Sequence, residues 1–156
     1  MTRRKRLEPV HELALEAERA AARRLADAER DAVDCQARLA QLEAYEREYR
    51  VGLQQRVADG IGAAGLRGFQ SFLARLDQAV GQQRSMLERA VTAREAAREQ
   101  WLALSARRRA VGKVLEQSAT ADRRALERRE QRELDERALG SFRGSRTDED
   151  AGRGPG

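Results

Sequence analysis

An apolar residue recurs at every seventh position along two stretches of this chain, and no proline interrupts the sequence between Pro9 and Pro155. The first stretch consists of Leu7, Ala14, Ala21, Ala28, Cys35, Leu42 and Tyr49. The second consists of Phe69, Leu76, Gln83, Ala90, Ala97, Leu104, Val111, Ser118 and Ala125. A second apolar column, three or four residues from the first, completes the spacing of a coiled-coil seam. The pattern predicts two long helices, each with one stripe to bury.

A glycine-rich segment separates the two helical patterns. It contains Gly60, Gly62, Gly65 and Gly68. Because glycine adopts positive φ and ends helices, we predict a turn at about 58–67, between helix 1 at about 8–57 and helix 2 at about 68–139. Pro9 fits the first turn of helix 1, where its missing N–H is not needed. Residues 1–139 are thus predicted to form one all-α domain, an antiparallel coiled-coil hairpin.

The composition favours a coiled coil over a globular core. Charged residues make up 37% of the chain and aromatic residues only 4%. Such a mixture with a heptad repeat is typical of coiled coils. Residues 140–156 consist largely of Gly, Ser, Arg and Asp, and we predict that this C-terminal tail is disordered.

The position of the turn gives an estimate of the register. If the turn is centred near residue 62, facing residues have numbers that sum to about 125. Tyr49 then lies opposite Leu76, and the bulky Trp101 lies opposite the alanine-rich stretch 21–25. Residues after about 120 have no facing helix in this arrangement. Whether the two helices pair within one chain or exchange between two chains stays open.

The sequence lacks the residue sets of common catalytic and metal sites. It contains one cysteine and one histidine, so it offers neither a zinc ligand set nor a Cys–His dyad. Cys35 is interpreted as a small seam residue and His11 as incidental. The glycines of the turn lack the Lys-Ser/Thr that completes a phosphate-binding loop. We therefore predict a non-enzymatic protein without cofactor or metal.

The sequence predicts a cytoplasmic protein. The basic start at residues 1–6 is not followed by the apolar region of a secretory signal. No run approaches the roughly 18 apolar residues of a membrane-spanning helix. A single cysteine also fits a reducing compartment.

Basic residues concentrate near the two termini. The net charge is +5, and residues 107–132 carry nine basic groups against four acidic ones. The register estimate brings this segment close to the basic residues of segment 1–6, which predicts a basic stalk beside the termini and a nearly neutral tip at the turn. No stacking aromatics are interleaved with the basic residues, so nucleic acid is not the predicted partner.

Two aromatic residues fall beside the predicted seam. Tyr45 flanks the Leu42 and Tyr49 column, and Phe72 flanks the second-helix column in the same way. Exposed aromatic residues on a charged surface indicate a site for a protein partner. The alternative is that a wide seam takes up both rings as core.

Two segments of the chain resemble the flagellar export protein FliJ family. The run Arg128-Arg-Glu-Gln-Arg-Glu-Leu-Asp-Glu-Arg-Ala138 is similar to the family's ending Arg-x-Glu-Gln-Lys/Arg-x-x-Asp-Glu. Residues 69–80, followed by Gln82 and Gln83, resemble the start of the family's second helix. The resemblance extends over about residues 5–139.

The resemblance implies a non-catalytic component of the flagellar type III protein export apparatus. A stalk-like coiled coil of this family is expected to bind the ring of the export ATPase FliI and to promote its assembly. It is also expected to couple the ATPase to the cytoplasmic domain of the export gate protein FlhA and to escort export chaperones. The protein would be a monomer that reaches the inner membrane only through its partners.

The resemblance also assigns residues to these partners. The family's gate-contact pattern falls on Leu42, Tyr45, Tyr49, Phe72, Leu76 and Ala79. Its two outer polar positions, Gln and His in the family, are here Arg38 and Gln83. By charge alone, we assign ATPase binding to Arg3, Arg4, Lys5, Arg6, Arg123, Arg124, Arg128, Arg129 and Arg132.

Three other functions fit the predicted architecture. One is the equivalent stalk of a virulence type III secretion system. The second is a structural coiled-coil scaffold that dimerises, which sedimentation would distinguish from a monomeric stalk. The third is a basic nucleic-acid binder, which predicts binding that weakens steeply with salt.

Overall fold

A computed structural model describes residues 2–151, and it describes side-chain surroundings for residues 2–146. Two helices make up almost all of the described chain, α1 at Arg3–Ala58 and α2 at Ala63–Ala151. Neither helix is long and apolar enough to cross a membrane. The chain divides into a hairpin unit, Ala14–Arg108, and a termini unit made of Met1–Leu13 and Arg109–Gly156.

Helix α1 begins at Arg3, earlier than the predicted start near residue 8. The Thr2 hydroxyl accepts a hydrogen bond from the backbone N–H of Lys5 at 3.4 Å, as an N-cap residue does. The Thr2 carbonyl also accepts from the N–H of Arg6 at 3.4 Å. This capping satisfies N–H groups at the helix start and places Pro9 inside α1 rather than in its first turn.

The turn between the helices is shorter than the predicted 58–67. Gly60 has φ 88° and is the positive-φ residue of the described chain. Its N–H donates to the carbonyl of Val57 at 3.2 Å, a helix-ending arrangement that favours glycine. The N–H of Leu66 already donates to the carbonyl of Gly62 at 3.0 Å, so α2 begins before the predicted residue 68.

The buried residues of the hairpin unit follow the two predicted columns. On α1 they are Ala14, Ala21, Ala32, Cys35 and Leu39. On α2 the buried apolar residues are Leu73, Leu76, Val80 and Ala90. Their separations are three or four residues or sums of threes and fours, which place these side chains on one face of each helix. The prediction of two long helices packed as an antiparallel coiled-coil hairpin is confirmed within this unit.

Cross-helix ion pairs of the hairpin unit agree with the estimated register. An Arg50 guanidinium nitrogen lies 3.2 Å from an Asp77 carboxylate oxygen, and Arg84 lies 3.2 Å from Glu43. Farther from the turn, Arg108 pairs with Glu18. The residue numbers of these three pairs sum to within about two of the predicted 125.

In the termini unit, the start of α1 packs against α2 beside a glycine. A Cβ placed on Gly112 would lie 3.3 Å from Nε2 of His11. The missing side chain therefore makes room for the imidazole, which explains one glycine in the interior of α2.

Beyond residue 120, every residue of α2 up to 146 is exposed. The predicted absence of a facing helix after about 120 agrees with this exposure.

Helix α2 continues to Ala151, past its predicted end at 139. Within the predicted tail, the Ser145 hydroxyl donates to the carbonyl of Phe142 at 3.0 Å. The Arg146 guanidinium lies 5.9 Å from the centre of the Phe142 ring. Such short-range contacts stabilise a helix without a partner. The rest of the predicted tail, residues 152–156, lies outside the described residues.

Candidate protein-binding surfaces

Three aromatic rings pack together near the turn of the hairpin unit. The ring of Tyr49 lies 4.3 Å from the ring of Phe72 and 5.0 Å from that of Phe69, measured between centroids. Tilted contacts at these distances are favourable between aromatic side chains. Since Tyr49 belongs to α1 and the phenylalanines to α2, the cluster exists only while the two helices keep their register.

The structure distributes the six predicted gate-contact residues between surface and core. Tyr45 is 57% exposed and Phe72 is 37% exposed, so both can be reached by a partner. Leu42, Tyr49 and Ala79 are half-buried. Leu76 is only 7% exposed and packs in the seam. Two of the six residues are thus accessible at the surface, and the other four lie partly or fully in the seam; we call the six residues together the tip patch.

Phe69 and Arg56 also belong to this region, and their contact was not predicted from the sequence. Phe69 was assigned only to the seam, yet its ring contacts Tyr49 and carries the Arg56 guanidinium 5.5 Å above it. A cation over an aromatic face is attracted by the ring quadrupole. The spacing of Arg56 from the turn could have suggested this contact, because residue 69 lies opposite residue 56 in the estimated register.

Charged pairs flank the same part of the seam. Arg50 bridges both helices, with a guanidinium nitrogen 2.9 Å from Glu46 and 3.2 Å from Asp77. The hydrogen bond to Glu46 raises the pKa of Arg50, and the negative charge of Asp77 raises it further. The pKa of Asp77 is lowered, first by a hydrogen bond with Glu46 and then by the charge of Arg50. Both shifts favour the charged forms of Arg50 and Asp77.

The two outer polar positions of the family pattern have different surroundings here. Arg38 is exposed and accessible to a partner. Gln83 is only 8% exposed, and its side-chain amide donates to the backbone carbonyl of Cys35 at 3.3 Å. Gln83 therefore stabilises contact between α1 and α2, and its amide is not presented at the surface.

The predicted ATPase-binding residues all lie on exposed parts of the termini unit. Arg4 pairs with Glu8 at 3.3 Å, and a guanidinium nitrogen of Arg123 donates to the Thr120 hydroxyl at 3.5 Å. At 100° per residue, Arg124, Arg128 and Arg132 fall on neighbouring positions of one helix face. Arg129 projects from a different face, so the segment presents one arginine ridge rather than a uniformly basic surface.

Within the described residues, no group of three or more His, Cys, Asp or Glu side chains could hold a metal ion. The hairpin unit does have an open apolar groove beside the seam, lined by Ala32, Val33, Ala37, Ala40, Leu87 and Val91, among others. The surfaces that the chain offers are thus helix faces and shallow grooves, which suit contacts with proteins.

A comparison with protein families matches residues 3–147 to the flagellar FliJ protein. The chain belongs to the FliJ family. The match spans nearly all of both helices, so this FliJ-family chain is a protein of flagellar export that associates with the export apparatus. No curated protein and no solved structure shows a significant match to it.

Proposed function

We propose that this FliJ-family protein is a non-catalytic stalk that couples the flagellar export ATPase to the export gate. The observation that carries the proposal is the contrast between two exposed surfaces. The termini unit presents a charged helix with an arginine ridge and no facing helix, whereas the hairpin unit presents the aromatic tip patch. Two surfaces of different chemistry suit two different partners.

The termini unit is the proposed contact with the export ATPase FliI. A helix whose described side chains beyond residue 120 are exposed is free to be enclosed by a ring of subunits. Arginine is well suited to such contacts because its planar group forms paired hydrogen bonds with carboxylates. In this arrangement the protein promotes ring assembly by contacting several ATPase subunits at once. The basic residues 3–6 contribute to the same contact.

The tip patch is the proposed contact with the cytoplasmic domain of the gate protein FlhA. Tyr45 and Phe72 supply exposed aromatic surface, which is enriched among residues that dominate binding energy. The stack of Tyr49 on Phe72 holds one of these rings in place before binding. A preformed contact surface loses less conformational entropy when a partner binds.

The proposal includes a cytoplasmic protein that reaches the inner membrane only through its partners and also escorts export chaperones. Support for this part comes from the family membership and from the exposed helical surface. The proposed state is a monomer, which analytical ultracentrifugation checks. A stable dimer would instead support the scaffold function.

The decisive experiment titrates the purified protein into the purified export ATPase and measures turnover and oligomerisation. We expect both to rise and then saturate. Reversing the ridge charges at Arg124, Arg128 and Arg132 to Glu should abolish the rise, while Tyr45→Ala should leave it intact. No effect of the unsubstituted protein at saturating concentration would contradict the stalk function.

A second experiment separates the gate contact from the ATPase contact. Tyr45→Ala should weaken binding to the FlhA cytoplasmic domain by at least about tenfold, as expected for an aromatic hot spot. Val33→Ala is the matched control, because Val33 is an exposed apolar residue of the same unit outside the tip patch. Equal losses in both variants would remove the tip patch as the gate site. Circular dichroism should show unchanged helix content in each.

A further inference from the structure

The two long edges of the seam in the hairpin unit are covered differently. Along one edge, which we call the ion-pair edge, Arg50 lies 3.2 Å from Asp77 and Arg84 lies 3.2 Å from Glu43. These contacts join α1 to α2 and cover the seam from that side. The opposite edge carries the exposed ring of Tyr45, and we call it the aromatic edge. Among the residues that the structure describes, no ion pair joins the helices along the aromatic edge.

Heptad spacing extends the aromatic edge away from the turn on both helices. On α2, Ala79 and Met86 follow Phe72 at intervals of seven residues. On α1, Arg38 precedes Tyr45 by the same interval. Residues one heptad apart lie on the same side of a coiled-coil seam. Met86 and Arg38 therefore continue the edge on which Phe72 and Tyr45 lie.

The register brings these two residues close to the same level of the hairpin. The ion pairs between Glu43 and Arg84 and between Arg50 and Asp77 place residue 86 opposite about residue 41 of α1. Arg38 is three residues from that level, which corresponds to about 5 Å along the helix axis. One layer of the aromatic edge thus combines an apolar side chain from α2 with a cation from α1.

Met86 is more accessible than one of the aromatic residues of the tip patch. It is 45% exposed, whereas Phe72 is 37% exposed. A single exposed apolar residue on a protein surface is common, but a contiguous set of them indicates a contact surface. Met86 continues the series that includes Phe72 and half-buried Ala79. Its unbranched thioether can also adapt its shape to a partner.

Arg38 gives this layer its charge. Its guanidinium is exposed and has no hydrogen-bond or ion-pair partner within the described part of the chain. Arg50 and Arg84 on the ion-pair edge, by contrast, are paired with carboxylates of the facing helix. An accessible cation beside an apolar side chain is complementary to a carboxylate next to an apolar residue.

We propose that Met86 and Arg38 extend the tip patch by one layer and contact the FlhA domain. Met86 packs against an apolar side chain of that domain, and Arg38 pairs with a carboxylate beside it. The contact surface then runs from Phe72 to Met86, which is about 21 Å along α2. This inference rests on the proposed function, because it names further residues of the same gate contact.

Oxidation of the native methionine tests whether the partner covers this layer. Hydrogen peroxide converts an accessible methionine to its sulfoxide, which peptide mass spectrometry quantifies. Saturating FlhA domain should slow the oxidation of Met86 severalfold. The matched control is the methionine introduced by Leu102→Met, because Leu102 is 46% exposed and lies sixteen residues farther along α2. Its oxidation rate should not change.

An alanine substitution measures the contribution of the apolar contact. Met86→Ala should weaken binding to the FlhA domain by about fivefold, as expected when an apolar side chain no longer becomes buried. Leu102→Ala, the control of similar exposure, should leave the affinity unchanged. Thermal unfolding should show that both variants keep the stability of the unsubstituted protein, since both side chains are exposed.

The salt dependence of binding tests the proposed ion pair. Arg38→Gln should weaken binding at low salt and should make the affinity less sensitive to added salt, because ions screen the lost attraction. The control is Arg98→Gln, an exposed arginine two heptads beyond Arg84 on the ion-pair edge. Equal salt dependence of the two variants would remove the carboxylate contact.

The outcomes separate this inference from the proposed function. If Tyr45→Ala weakens gate binding while Met86→Ala behaves like Leu102→Ala, the added layer is wrong and the gate contact stands. If the unsubstituted protein does not bind the FlhA domain, the gate contact and the added layer are both wrong. Protection of Met86 that appears on concentrating the protein alone would assign the surface to a second copy and overturn the inference.

Discussion

The two parts of α2 differ in what stabilises them. Between residues 66 and 118, a buried or half-buried residue recurs every three or four positions and packs toward α1. From 121 to 146, every residue is exposed. If the seam continued into this second part, its positions would be Asp122, Ala125, Arg129, Arg132, Glu136 and Leu139.

The difference shows that helix formation and helix pairing are encoded separately in this chain. Both parts contain Ala, Leu, Arg and Glu, residues of high helix propensity, so both form helix. Only the first part repeats apolar residues at the spacing of a seam. The exposed part therefore lacks the stripe that would recruit another α-helix through an apolar coiled coil, and its surface favours polar contacts.

The largest expected change in stability comes from comparing a leucine in each part of α2. Leu76→Ala removes a buried side chain and should lower the free energy of unfolding by about 2–4 kcal/mol. Leu126→Ala changes an exposed residue and should alter it by no more than about 0.5 kcal/mol. Urea unfolding followed by circular dichroism measures both. Similar losses would show that the exposed part is packed in solution.

The next effect concerns two glycines inside α2. A Cβ on Gly81 would meet no other atom within 4 Å, so Gly81→Ala should stabilise the protein by about 0.5–1 kcal/mol through helix propensity. Gly112→Ala should gain less, because its Cβ would press on His11 at 3.3 Å. Thermal unfolding compares the two variants. Equal gains would mean that the His11 ring moves aside freely.

A change of pH is expected to have a smaller effect on the stability of the protein. Asp77 has a pKa below its usual value of 3.8 in the folded protein, so its pairing stabilises the fold above that value. The contribution is lost as the pH falls below about 4 and passes through the lowered pKa. The difference in melting temperature between the unsubstituted protein and Asp77→Asn should therefore be present at pH 7 and shrink at pH 3. An unchanged difference would assign the effect to something other than charge.

The smallest expected effect is on the stability of the hairpin after removal of residues 121–156. Because the side chains described from 121 to 146 are exposed, their removal should leave the melting temperature almost unchanged. Stimulation of the export ATPase should nevertheless be lost. A large fall in melting temperature would show that this part of α2 stabilises the hairpin, contrary to its exposure.

The sequence was sufficient to predict the hairpin because its periodic signal is long. The columns through Cys35 and Leu76 predicted the buried faces, and the position of the glycines led to the register. The ends of the helices were harder to predict. Thr2 starts α1 early, and Gly60 alone provides the reversal that four glycines had suggested. These outcomes depend on single hydrogen bonds, which do not produce a repeating pattern in the sequence from which a helix end can be predicted.

The surfaces were predictable only in part, since a residue beside a seam can turn toward core or solvent. Tyr45 and, to a smaller extent, Phe72 are exposed, which is one of the two alternatives that the sequence left open. Leu76, which the resemblance assigned to the gate contact, lies in the core as its heptad column predicts. The contact of His11 with Gly112 and the bond from Gln83 to a backbone carbonyl depend on side-chain geometry, which spacing alone does not determine.

The burial of Cys35 has a further consequence for experiments on motion. A thiol reagent can reach its sulfur only when the helices separate locally, because the residue is almost fully enclosed. With no other cysteine in the chain, the rate of alkylation counts those opening events without added labels. Slower alkylation in the presence of a partner would show that binding suppresses breathing of the hairpin at a position outside the tip patch.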